Sequence, residues 1–178
     1  MSGNLGHGMK ALLNFTGSQD DPVLARPFTV VDPQRSCWTC ASNRILFMAL
    51  RDRNQGPRFK GTYQSLSVIL ELLKAIPRGS ISFDRDDVLR RVDPEGLGTI
   101  LGVTVSLRYL HDILITSQAQ PMCAWDATTI LGLPCLGFDG PGWRAYLMGF
   151  SNIADPAPSV SLVPGSLLDF DFETSEDS

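Results

Sequence analysis

The stretch "TTILGLPCLGFDGPGWRAYLMGF", residues 128–150, sets the terms for the fold. Apolar residues recur up to Phe138, Asp139-Gly140-Pro141-Gly142 supplies a turn, and "WRAYLMGF" returns as a second apolar run. Two such runs closed by a Pro-Gly turn predict a β-hairpin, because Pro presets its φ and Gly reaches the positive φ that tight turns need. Pro134 in the first arm predicts an edge strand or a bulge, since proline donates no ladder hydrogen bond. Upstream, "GVTVSLRYLHD" at 102–112 sets Val103, Val105, Leu107 and Tyr109 against Thr104, Ser106 and Arg108. That strict period of two predicts one long strand.

Working outward, "FTVV" at 28–31, "RILFMALR" at 44–51 and "SISF" at 80–83 read as further strands. "GTYQSLSVILELLKAIP" differs: Leu66, Ile69, Leu70, Leu73 and Ile76 fall at helical spacing, with Thr62 as N-cap and Pro77 as stop. "RDDVLRRVD" reads as a short charged helix. Strands joined by turns, one amphipathic helix and no βαβ alternation predict α+β, an antiparallel sheet packed against a few helices in a single domain. The expected organisation is a loosely structured N-terminal arm (1–27), a globular domain (28–154) and an acidic, disordered tail (155–178).

Length and composition support a folded core. The chain has 178 residues, 43% of them hydrophobic, and no apolar run reaches the roughly 18 residues of a membrane span. The first residues make a poor signal peptide, and Gly3 is misplaced for myristoylation, so a soluble protein made in the cytoplasm is expected. Net charge is −4, unevenly spread. Residues 155–178 hold six acids and no base, whereas 44–60 hold Arg44, Arg51, Arg53, Arg58 and Lys60 against Asp52 alone. This asymmetry reads either as a solvated surface or as a basic face for an anionic partner, lipid or RNA. Leu12, Leu13 and Phe15 form a small apolar patch, which either packs on its own domain or serves as an N-terminal docking segment.

Four cysteines raise the question of metal or redox chemistry. Cys37-x-x-Cys40 is a close pair, but Cys123 and Cys135 are far apart, and His7 and His111 stand alone. No four-ligand zinc pattern results, and a thioredoxin-like site would need βαβ context. Structural thiols in the approach to the first long strand are the leading reading, followed by metal and then by thiol catalysis. Cys37 or Cys40 with His111 is the one nucleophile–base combination on offer, without a matching signature; no enzyme activity, cofactor or metal is expected.

Three segments carry a family resemblance. "ILFMALRD" followed by "RFKGTYQSLSVILELL", then "GVTVSLRYLHDILITSQAQPMCAWD", then "ILGLPCLGFDGPGWRAYL" resemble, in order, the globular domain of rhabdovirus matrix proteins of the vesiculovirus type. They cover a little under half the chain. The resemblance implies a structural viral protein located in the virion, in the host cytoplasm and at the cytoplasmic face of host membranes. Its partners would be the viral nucleocapsid, the anionic inner leaflet of the host-derived membrane and further copies of itself, with a viral glycoprotein tail and host trafficking proteins as additional candidates. It would promote assembly and budding. The chain departs from the vesiculovirus type in having only Lys10 as a base in its first 25 residues, no PPxY motif, and a short segment at 77–98 where the family has a long insertion. A compact form of this kind is similar to plant- or arthropod-infecting members.

The tail offers one more motif. Leu167-Leu168-Asp169-Phe170-Asp171 resembles a clathrin-box peptide, in which apolar residues enter grooves while acids meet a basic rim. It reads as a host-adaptor motif, as a solubilising tail, or as a segment that folds back over the basic face.

Overall fold

The computed structural model describes residues 26–51, 57–117, 122–151, 153, 155 and 157–163. Nine strands and four helices alternate along it: β1 (Phe28–Val31), β2 (Cys37–Ser42), β3 (Leu46–Arg51), α1 (Tyr63–Lys74), β4 (Ile81–Phe83), α2 (Arg85–Arg91), β5 (Leu97–Ile100), β6 (Val103–Ser106), α3 (Leu107–Thr116), β7 (Met122–Asp126), α4 (Thr128–Leu131), β8 (Cys135–Gly140) and β9 (Trp143–Met148). Seven strands form one antiparallel sheet in the order β1-β2-β3-β9-β8-β7-β4, and β5 pairs with β6 in a small second sheet. The fold is α+β, as the patterning predicts.

The terminal hairpin forms as read. Gly140 pairs with Trp143, leaving Pro141-Gly142 as a two-residue loop in which Gly142 takes φ 75°. Pro134 is a correction: β8 starts one residue later and lies in the interior of the sheet, between β9 and β7. The proline thus escapes the ladder, and its carbonyl accepts the Gly149 amide at 2.8 Å. Gly137 and Gly140 each lie under an indole, with ring atoms of Trp125 and Trp143 within 2.4 Å of where a Cβ would stand.

The long strand expected at 102–112 is also corrected. Only β6 is extended; its last residue, Ser106, is the N-cap of α3. Val103 and Val105 alternate, but Leu107, Leu110, Ile113 and Leu114 are buried at helical spacing, so two periods meet at Ser106 and imitate one. "CWTC" is likewise a strand in its own right, β2, rather than the approach to one. Helix α1 keeps its predicted start, with Thr62 Oγ1 accepting the Ser65 amide at 3.1 Å. It ends at Lys74, so Ile76 is left past the helix and 78% exposed.

The sheet separates two cores. On one face Met48, Leu136, Phe138, Ala145 and Leu147 pack with Val88 of α2, Leu110, Ile113 and Leu114 of α3, and the β5–β6 hairpin. On the other, Phe28, Trp38, Phe47, Trp125 and Tyr146 pack under Ile69, Leu72 and Leu73 of α1. Residues 157–163, inside the stretch read as tail, run beside β5: the Val160 amide donates to Thr99 O at 2.8 Å, and Leu162 is buried.

Candidate functional site

Where α1 meets the end of the sheet, the two border an open groove of about 740 Å³. Its walls are apolar: Phe28, Phe47 and Phe59 on one side, Val68 and Ile69 of α1 on the other, with Met148 at the end. Phe59 is held by pairing of residues 57–59 along the outer edge of β1. Thr29 N donates to Pro57 O at 2.8 Å and Phe59 N to Thr29 O at 3.0 Å, and the Phe28 and Phe59 rings lie 5.1 Å apart. Tyr146 is tied down through its hydroxyl, which donates to Leu72 O.

The turn between β2 and β3 forms the rim. Asn43 Oδ1 accepts the Ile45 and Leu46 amides at 3.0 and 2.7 Å, and Arg44 takes a left-handed φ of 73°. This side-chain-closed turn leaves Arg44 and Ile45 exposed beside the groove. Lys60, just before the Thr62 cap, lines it as well. Among the described residues Arg44 and Lys60 are the charged side chains of the lining.

The four described members of the basic set singled out in the sequence take different places. Arg44 and Lys60 meet at the groove. Arg51 lies at the far end of β3, a strand of about 17–20 Å, where its guanidinium stacks 5.8 Å from the Trp38 ring centroid and donates to Ser36 Oγ at 3.2 Å. Arg58 is exposed opposite Thr29 on the outer edge of β1. Arg53, the patch Leu12, Leu13 and Phe15, and the motif Leu167–Asp171 lie outside the described residues.

Periodicity did not expose the groove, whose walls come from segments far apart in sequence. One local signal existed: Val68 falls off the Leu66–Ile69–Leu73 stripe of α1, yet is apolar and 46% exposed. Arg144 was missed as well. It is buried, donates to Leu72 O, Leu73 O and Ala75 O at 3.3, 2.9 and 2.6 Å, and pairs with Asp139 at 3.3 Å. It closes the C-terminal end of α1, where free carbonyls and the helix dipole both favour a cation.

The cysteines take up positions that oppose joint chemistry. Residues i and i+3 of a strand point to opposite faces, roughly 10 Å apart along it, beyond the reach of a disulfide. Cys40 enters the core under α1, and Cys37 faces the other way. Burial raises the Cys40 thiol, with Cys37 adding to the effect, and pushes Cys135 up to about 12, helped by Asp126. Cys123 is raised by burial and by Asp139. Protonated thiols are poor nucleophiles and poor ligands. His111 is on α3, across the sheet from Cys40, with Nε2 2.6 Å from Val92 O; since a carbonyl only accepts, Nε2 carries the proton. Among the described residues no group of three His, Cys, Asp or Glu converges on a metal-sized site, and no helix is long and apolar enough to cross a membrane. No protein-family model matches the chain, and no curated protein matches it.

Proposed function

We propose that this is a viral matrix-type structural protein, similar to those of rhabdoviruses, that bridges the nucleocapsid and the inner face of the host-derived membrane, self-associates and promotes budding. The observation that carries the reading is the groove, a largely apolar trough whose charged lining among the described residues is Arg44 and Lys60. Such a surface suits the membrane–water boundary, where apolar groups enter the acyl region and each cation near anionic headgroups contributes about 1 kcal/mol. Arg58, exposed on the neighbouring edge strand, extends the same basic rim. The strand β3, the basic residues Arg58 and Lys60 and the capped helix α1 also follow one another in the order on which the family resemblance rests.

The test is particle release. The full chain expressed alone in cultured cells should appear in the medium inside membrane-enclosed particles, resistant to trypsin until detergent is added. Arg44→Gln with Lys60→Gln should lower release several-fold at equal expression. A protein that stays wholly intracellular, or whose release ignores the double substitution, would contradict the proposal.

A further inference from the structure

The groove is lined by apolar side chains from β1, β3 and α1, and at its border Ile45 and Val68 stay 41% and 46% exposed. The course of the chain indicates what reaches it. Strand β1 runs antiparallel to β2, with Phe28 opposite Cys40 and Val31 opposite Cys37. The first residue of β1 therefore stands at the end of β2 that leads into Ser42 and the β2–β3 turn, and Phe28, Ser42 and Ile45 all line the groove. The segment that precedes β1 arrives there. Residues 157–163 lie elsewhere: they run beside β5, and Val160, Leu162 and Val163 pack with α2 and α3 on the other face of the sheet.

The stretch before β1 carries a suitable apolar face. At about 100° per residue, Met9, Leu12, Leu13 and Phe15 fall on one side, and Lys10 and Asn14 on the other. An amphipathic segment of this kind lays its apolar face in a trough and leaves its cation in solvent. Phe15 lies thirteen residues before Phe28, a span of up to about 45 Å when extended. Helix α1, which forms one wall, has 12 residues and so measures about 18 Å. The connection is long enough to double back, and Gly17, Asp20, Asp21 and Pro22 within it are turn-forming residue types.

We infer that the groove between α1 and the β2–β3 turn is the docking surface for the N-terminal segment of the same chain, residues 9–15, with Leu12, Leu13 and Phe15 against Phe28, Phe59 and Val68. The bound chemistry is a short amphipathic peptide held by apolar contact, so its affinity depends little on salt. The inference rests on the groove and on the path into β1, not on the matrix reading. A segment on the floor leaves the rim to a membrane, so particle release can fail while the segment docks, and the reverse.

The test is nuclear magnetic resonance on the isotope-labelled full chain. Side-chain protons of Leu12, Leu13 and Phe15 should show NOEs to those of Phe59 and Val68. In an equal mixture of labelled and unlabelled chains, the filtered spectrum that reports only contacts between copies should lack them. Leu12→Ser with Leu13→Ser and Phe15→Ser changes none of the described residues. It should shift the Gly61, Ser65 and Val68 amides and leave that of Thr104, across the sheet, in place. A dye-labelled peptide of residues 7–17 should bind the substituted chain at least about tenfold more tightly than the parent, because a tethered segment competes at roughly millimolar effective concentration. Val68→Glu, at a half-exposed helix position, should weaken that peptide several-fold. The inference is overturned if the NOEs are absent, if they appear only between copies, if Leu168 and Phe170 give them instead, or if the peptide binds both chains equally.

Discussion

Cys135 shows how one side chain couples this fold to pH. Its thiol is fully enclosed in the core under α1, and burial, aided by Asp126, pushes its pKa from 9.0 up to about 12. The folded state therefore holds a proton that the unfolded chain gives up first. The stabilisation is complete below pH 9 and is lost as pH rises from there toward 12, at up to about 1.4 kcal/mol per pH unit. Cys135→Ala removes this dependence in exchange for a fixed packing loss. The stability gap between parent and variant, from urea midpoints, should narrow steadily above pH 9; parallel curves from pH 7 to 10.5 would contradict it. Residue chemistry of this kind was only half legible. That Cys123 and Cys135 lack the close spacing of a four-cysteine zinc pattern was legible, but that Cys37 and Cys40 face opposite ways required knowing that Cys37–Ser42 is extended.

At the scale of elements, legibility depended on whether one period ran from end to end. Helix α1 was readable because Leu66, Ile69 and Leu73 keep their spacing between a capping Thr62 and the Pro77 stop. The β8–β9 hairpin was readable because Pro141-Gly142 can be little other than a turn. The β6–α3 boundary was not, since strand and helix meet at Ser106 without a glycine or proline to mark it. Nor could any local pattern announce Arg144, whose partners Leu72, Leu73 and Ala75 are some seventy positions away. That residue joins α1 to the sheet. Arg144→Met should cost about 2–4 kcal/mol, because it leaves three carbonyls and Asp139 with lost or weakened partners in a buried setting. Arg144→Lys should recover only part of this, since an ammonium lacks the planar fork that spans both partners. Urea unfolding with an unchanged m-value checks both; a loss below 1 kcal/mol in the Met variant would contradict the role.

On the scale of the whole molecule, the sheet divides the protein into a densely packed side, with α2, α3 and the β5–β6 hairpin, and a side on which α1 covers the strands incompletely. The incomplete cover creates the groove, and it arises from tertiary geometry: Ile69, Leu72 and Leu73 of α1 are buried on the sheet, whereas Val68 stays 46% exposed. The basic run at 44–60 was visible as composition, but folding splits it, sending Arg51 to Trp38 and bringing Arg44 and Lys60 together. Charge counted along a chain finds the residues and misses the face.

The most direct measurement is flotation of the full chain with liposomes, neutral against phosphatidylserine-containing, at low and high salt. The account predicts flotation only with the anionic vesicles at low salt, lost at high salt and in the Arg44→Gln/Lys60→Gln variant, and retained in Arg51→Gln, whose guanidinium is stacked on Trp38 at the other end of β3. Absence of flotation under every condition, or equal flotation of both variants, would contradict a membrane-apposed role for the groove.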